Sequence, residues 1–152
     1  SAGTLRWNRD FVAGEEDFLV CYADNLTDID IGRLVGFHRS RQALITMALF
    51  RSSRPAECGV VELDDAGRVT GYEEKPPDPK SCLANGGFYV MHAGIFPKLP
   101  SKTVSDIGYD LLPQCLGEMY GLEWDGLLID VGTPGGYALA QEAWTRRRAA
   151  AV

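Results

Sequence analysis

The sequence predicts an α/β domain: a Rossmann-like mixed, mainly parallel sheet flanked by helices, with an antiparallel hairpin insertion. Three observations predict it. Apolar runs end on acids at residues 17–24 and again at 126–130. A helical stripe separates the first of these runs from another at residues 43–50. An acidic, glycine-containing turn at residues 64–68 divides two strand-like segments.

In chain order, Ser1-Ala2-Gly3-Thr4-Leu5 reads as a loop of small residues feeding a helix at Leu5-Arg6-Trp7. Residues 17–26 then run through Phe18, Leu19, Val20, Cys21 and Tyr22, the pattern of a strand buried on both faces in the middle of a parallel sheet. Asp24 stands at the carboxyl end of that strand, where open α/β sheets bind ligands. An acid there, with Asn25 beside it, can hold a divalent cation against phosphate oxygens, and it can equally serve as a turn former. Thr27-Asp28 offers a helix cap, and Ile31, Leu34, Val35 and Phe37-His38 form a helical stripe to about Arg41. With the apolar run 43–50 this makes one βαβ unit.

Residues 59–63 and 69–75 flank Asp64-Asp65-Ala66-Gly67-Arg68 as a hairpin. Pro76-Pro77-Asp78-Pro79 forces the chain out of the sheet directly after Lys75. Asn85-Gly86-Gly87 leads into a buried strand at 88–91, and the paired glycines let a ligand approach the backbone. Residues 109–116 read as a short helix with Pro113 in an early turn, followed by a strand near 120–124. The run 126–130 repeats the opening pattern, ending on Asp130, and Thr133 and Pro134 supply the N-cap and first position of a closing helix.

Composition narrows the function. At 152 residues and 45% hydrophobic, the chain can bury one sizeable core. A net charge of -6 argues against a nucleic-acid surface, and the basic run Arg146-Arg147-Arg148 reads as a complement to a helix dipole. Cys21, Cys58, Cys82 and Cys115 have neither C-x-x-C nor zinc spacing and read as buried free thiols of a reducing cytoplasm. His38 and His92 read as packing or surface residues. No apolar segment of membrane length is present.

The ordered set Ser1-Ala2-Gly3-Thr4-Leu5, Ala23-Asp24-Asn25, Cys58-Gly59-Val60-Val61, Glu73-Glu74-Lys75-Pro76, Asn85-Gly86-Gly87 and Asp130-Val131-Gly132-Thr133-Pro134 resembles the sugar-1-phosphate nucleotidyltransferases. The run 106–113 and the ending Gly132-Thr133-Pro134 look most like the mannose-1-phosphate and heptose-1-phosphate guanylyltransferase branch. Family members also carry a G-x-G-T-R-L triphosphate loop followed by a Lys-Pro, neither of which occurs in this chain. The resemblance therefore implies that residues 1–152 are the C-terminal portion of a single nucleotidyltransferase domain. Two or three strand–helix units of roughly 30 residues each would precede Ser1, and the chain alone would be inactive. Apolar faces left uncovered would favour association with a second copy.

The implied reaction joins a sugar 1-phosphate to the α-phosphate of a nucleoside triphosphate and needs no nucleophilic side chain, because the monoester is largely dianionic at neutral pH. Its demands are charge neutralisation and positioning. By the resemblance, Asp24 and Asp130 share one Mg2+, Lys75 draws in the sugar phosphate, and Glu74 accepts bonds from sugar hydroxyls. Gly59, Asn85 and Gly87 line the sugar pocket, and Gly3 and Thr4 contact the base. Taken alone, Glu73-Glu74-Lys75 reads first as a solvated strand edge, until Pro76 and the other motifs tilt the balance, and Gly3-Thr4 is also readable as a helix-start loop. Two other functions compete: a metal-dependent glycosyltransferase using Asp28-Ile29-Asp30 as a D-x-D motif, and a non-catalytic sugar-nucleotide-binding module.

Overall fold

The computed structural model describes residues 1–150, with side chains through residue 147. The strands are β1 (Asp17–Cys21), β2 (Asn25–Thr27), β3 (Ile45–Arg51), β4 (Gly59–Leu63), β5 (Val69–Glu74), β6 (Leu83–His92), β7 (Met119–Glu123) and β8 (Leu128–Asp130). The α-helices are α1 (Ala2–Trp7), α2 (Ile31–Arg41) and α3 (Pro134–Ala150). The long strand β6 is the axis of the main sheet, with β3 antiparallel along one edge. On its other edge the carboxyl half pairs with β1 and the amino half meets β4 where Val60 faces Ala84. β4 and β5 form the expected antiparallel hairpin, and β3 and β7 pair in parallel. A separate two-stranded sheet joins β2 to β8.

The mixed α/β class with a hairpin insertion is the one the sequence predicts, but β1 departs from its expected place. It pairs antiparallel with β6, and β1 and β3 run in the same direction with β6 inserted between them. The βαβ unit read from residues 17–50 is thus split by a strand from later in the chain. β1 is also buried on one face only, since Phe18 is buried whereas Leu19 is 45% exposed and Cys21 is exposed. An apolar residue at each position hid the alternation that the pleat imposes.

Other boundaries shift for local reasons. The cap of α2 is Asp30, whose Oδ1 accepts from Arg33 N at 2.9 Å, because Thr27 belongs to β2 and Asp28 Oδ1 accepts from Trp124 Nε1 at 2.9 Å and Leu127 N at 2.7 Å. Residues 2–7 are helical rather than a loop. Asn85-Gly86-Gly87 lies inside β6 instead of ahead of it. Residues 107–115 form a π-helical turn (Ile107–Leu111) and a 3-10 turn (Leu112–Cys115), with Pro113 where its missing N–H costs nothing. The predicted hairpin turn at 64–68 and cap at Thr133 hold: Asp64 Oδ1 accepts from Ala66 N and Arg68 N, and Thr133 Oγ1 accepts from Gly136 N at 3.0 Å.

The sheet separates two apolar layers by simple alternation. Ile45, Met47 and Leu49 of β3 and Tyr89 and Met91 of β6 face Ile95, Ile107, Leu111, Leu112 and Cys115. On the opposite face, Ala48, Phe88 and Val90 pack with Leu34 of α2. Of the cysteines only Cys115 is buried; Cys21 and Cys82 are exposed and Cys58 is half-buried, contrary to the expectation of buried thiols. Among the described residues no helix is long and apolar enough to cross a membrane.

One polar knot ties α2 to the sheet. The buried His38 shares a 2.9 Å hydrogen bond between Nδ1 and Thr46 Oγ1, and its Nε2 lies 3.3 Å from Asp17 Oδ1. Burial holds its pKa below the ordinary histidine value, outweighing the opposite pull of Asp17. A folded pKa below the unfolded one means that stability is full above about pH 6.5 and is lost as pH falls through the histidine range. The stability difference between wild type and His38→Gln should therefore shrink from pH 7.5 to pH 5.5 in thermal unfolding. A difference that stays constant or grows on acidification would contradict a neutral buried His38.

Candidate active site

Asp24 is exposed in the turn between β1 and β2, and Asp130 is the exposed last residue of β8. The strand beside Asp130 is the short β2 that follows Asp24, not the apolar run that precedes it: Asn25 faces Asp130 across the pair. Val131 N donates to the Asp24 carbonyl at 2.8 Å, clamping the two segments together. Gly132 N then donates to Asp130 Oδ1 at 2.7 Å, which fixes that carboxylate. A Cβ on Gly132 would lie 3.0 Å from Asp130 Oδ1 and 3.4 Å from Asp24 Oδ2. Both carboxylates thus border one small space that glycine leaves open.

Two acids so placed repel each other, and a cation between them removes the repulsion. The donor set suits a hard ion with oxygen ligands at about 2.1 Å, of the kind held by one or two carboxylates plus substrate oxygens. Among the described residues no group of three or more His, Cys, Asp or Glu side chains forms a metal cage, so the protein offers a pair.

From this pair the surface continues through glycines. Asn25 Nδ2 donates to the Gly86 carbonyl at 3.3 Å, and Tyr22 N donates to the Gly87 carbonyl at 2.9 Å. Gly87 has φ 72°, a left-handed conformation, and a Cβ there would press on Asn25 and Tyr22. Asn85 is internally engaged: its Nδ2 donates to Tyr89 Oη at 2.7 Å and its Oδ1 accepts from Gly87 N at 3.1 Å. Tyr22 and Tyr89 meet edge to face at 5.9 Å, which brings the turn near Asp24 against the middle of β6.

Glu74 is the next member. Its side chain and that of Tyr72, two residues earlier on β5, share a face of the strand, and Tyr72 Oη donates to Glu74 Oε2. A Cβ on Gly59 would be 2.3 Å from Tyr72 Oη and 2.7 Å from Glu74 Oε2, so a side chain on β4 at that point would displace the Tyr72–Glu74 pair. Gly108, in the π-helical turn, leaves matching room, with Glu74 Oε2 2.3 Å from its Cβ position. Lys75 follows with φ 50°, an uncommon conformation for a residue with a side chain, while its N donates to the Cys58 carbonyl at 2.9 Å. Gln42, also at positive φ, merely ends α2. Lys75 directly follows the last residue of β5, and backbone strain of this kind gathers at functional sites.

Gly3 and Thr4 lie on α1. Gly3 is buried, its N donates to the Ser105 carbonyl at 3.2 Å, and Ser1 Oγ donates to Asp106 Oδ2 at 2.6 Å. These contacts dock α1 on the segment leading to Gly108, whereas the Thr4 side chain is exposed on the helix surface. The structure thus brings Asp24 and Asp130 to one space at Gly132 and sets Gly59 against Glu74, whereas Lys75 is held by the Cys58 carbonyl and Asn85 is bonded within β6 to Tyr89 and Gly87. The sequence assigns no site role to Tyr72, Gly108 or Gly132, although both glycines stand in the quoted motifs. The spacing of Tyr72 to Glu74 was a usable signal; the packing of Gly108 on Glu74 is tertiary. Asp28 and Asp30, the D-x-D candidate, are committed to Trp124, Leu127 and Arg147 and to the α2 cap.

Paired carboxylates, a Glu-Lys pair at a strand end and several close-packed glycines thus stand on one mixed α/β sheet. The chain belongs to the nucleotidyl transferase family, whose profile matches residues 1–147. A mannose-1-phosphate guanylyltransferase of Mycobacterium tuberculosis is 30% identical over 120 residues, covering 76% of this chain and 33% of that protein. A UTP–glucose-1-phosphate uridylyltransferase of Synechocystis is 30% identical over 142 residues, covering 87% and 36%. A solved Bacillus anthracis structure described as a glucose-1-phosphate thymidylyltransferase has TM-score 0.83 at 25% identity, over 94% of this chain and 60% of that one. The chain spans about a third of the length of these two curated relatives.

The left-handed Lys75 makes a checkable claim about stability. Relieving a non-glycine residue of that conformation is worth about 1–2 kcal/mol, part of which is offset by the greater freedom of glycine in the unfolded chain. Lys75→Gly should raise the melting temperature, by a stability gain of up to about 1 kcal/mol. A lower melting temperature would show that the lysine side chain itself holds the fold.

Proposed function

We propose that residues 1–152 are the C-terminal portion of a sugar-1-phosphate nucleotidyltransferase domain, carrying its metal and sugar-phosphate sites. The reaction is attack by an oxygen of the sugar 1-phosphate on the α-phosphate of a nucleoside triphosphate, giving a nucleotide-sugar and pyrophosphate. The observation that carries this reading is the convergence of Asp24 and Asp130 on the space at Gly132. Asn25 ties the Asp24 turn to the Gly86 carbonyl of β6, and Gly59 lies against Glu74 at the end of β5. When Mg2+ is bound between these carboxylates, it supplies positive charge to phosphate oxygens.

The remaining chemistry belongs to side chains and backbone. Lys75 offsets the repulsion between two phosphate-bearing substrates, and its strained backbone turns it away from the alternation of β5. Glu74 accepts hydrogen bonds from sugar hydroxyls. Gly59 and Gly87 let the sugar approach the backbone, and Asn85 orders the pocket floor while offering its remaining amide capacity. Gly3 and Thr4 lie on the nucleotide side, next to the Asp106–Gly108 segment. The sugar monoester, with a second pKa near 6, enters as a dianion and needs no general base. The names of the relatives span guanylyl, uridylyl and thymidylyl transfer, so the reading is made at the level of the substrate class.

Separate titrations of a sugar 1-phosphate and a nucleoside triphosphate into wild-type and Lys75→Ala protein test this. Loss of a charge-assisted contact is worth about 1.5–3 kcal/mol, or roughly ten- to hundredfold in affinity. The sugar-phosphate Kd should rise by that factor with the triphosphate Kd nearly unchanged. Equal weakening of both ligands, or of neither, removes Lys75 from the site.

A further inference from the structure

We propose that Tyr72 is the positioning residue for the sugar-binding carboxylate: its hydroxyl holds one oxygen of Glu74 in place, leaving the other to receive sugar hydroxyls. The inference rests on the sugar-binding role proposed for Glu74 and concerns a residue that no motif singled out. Its basis is a clamp built from four elements. Tyr72 and Glu74 project from the same face of β5, and Tyr72 Oη donates to Glu74 Oε2. Above and below this pair stand Gly59 of β4 and Gly108 of the π-helical turn, whose Cβ positions lie 2.3 Å and 3.0 Å from Tyr72 Oη. Both neighbours have given up their side chains to the same hydroxyl–carboxylate pair.

The clamp continues into β6. The Asn85 amide of β6 pulls the Tyr72 pKa down against a larger rise, while its Nδ2 donates to Tyr89 Oη at 2.7 Å. Burial, reinforced by the adjacent carboxylate, pushes the Tyr72 phenol far above its ordinary range. It therefore remains an O–H donor across any working pH. A glutamate at a half-buried strand end has several rotatable bonds to lose on binding sugar. Holding it beforehand moves that cost from binding to folding.

The test is a double-mutant cycle on sugar 1-phosphate binding, with inorganic phosphate as a second ligand. Tyr72→Phe keeps the ring and removes the hydroxyl. It should weaken sugar 1-phosphate binding roughly tenfold, leave inorganic phosphate binding within about twofold, and have little further effect when Glu74 is already Gln. Unchanged sugar 1-phosphate binding in Tyr72→Phe, full additivity with Glu74→Gln, or equal loss for both ligands would overturn the proposal. A wild type that binds no sugar 1-phosphate would instead overturn the functional reading beneath it. Should Tyr72→Phe not fold, proton NMR of the wild type decides: a slowly exchanging Tyr72 hydroxyl proton is expected, and a rapidly exchanging one refutes the clamp.

Discussion

At Gly86 and Gly87 the strand β6 passes closer to its neighbours than a side chain permits, and the architecture of the site depends on that approach. A Cβ on Gly86 would stand 2.9 Å from the Ala48 carbonyl and 2.8 Å from Leu128 Cδ1. On Gly87 it would stand 2.9 Å from both Asn25 Nδ2 and Tyr22 Cδ2. Ala48 belongs to β3 and Leu128 to β8, while Tyr22 and Asn25 bracket Asp24. Two adjacent glycines therefore set the separation of the main sheet from the β2–β8 ribbon. The register of β3 against β6 also shifts between Met47 and Leu49, beside the same point. A larger residue there would displace the ribbon that carries both acids.

Everything proposed for the site follows from where that ribbon and the hairpin are held. The Asp24–Asp130 pair sits on the ribbon, on backbone bonds from Val131 and Gly132. The Glu74-Lys75 end of β5 is fixed by Gly59, Gly108 and the Cys58 carbonyl. β6 meets the first group through Asn25, which donates to the Gly86 carbonyl, and the hairpin where Val60 faces Ala84. The acids remain exposed while the residues behind them are buried, an arrangement that leaves charge available to a ligand and places packing energy in the scaffold.

Much of this was legible in the sequence, for physical reasons that also mark its limits. Asp64 and Gly67 fixed the hairpin, Thr133 and Pro134 fixed the start of α3, and the acid-terminated runs located Asp24 and Asp130, because turn and cap chemistry is local. The sheet order was not legible. β6 enters between β1 and β3 from some forty residues downstream, and an apolar run carries no record of its partner's direction. The uniform apolarity of residues 18–22 also concealed that β1 is open on one face. Within the site, the motif residues were visible one by one, Gly108 and Gly132 among them, but the packing of these two glycines against Glu74 and the acids is visible only in the fold. Asp28 illustrates the converse: a metal-like motif in sequence, it becomes in the fold the acceptor for Trp124 and Leu127.

The central claim is that Asp24 and Asp130 hold one divalent cation between them, and a Mn2+ titration followed by electron paramagnetic resonance tests it most directly, with Mg2+ as competitor. The account predicts one Mn2+ per chain, displaced by Mg2+, with Asp24→Asn and Asp130→Asn each weakening binding at least roughly tenfold and the double variant little worse than either single one. Mn2+ binding unaffected by either substitution, or two independent sites each lost with one acid, would contradict it.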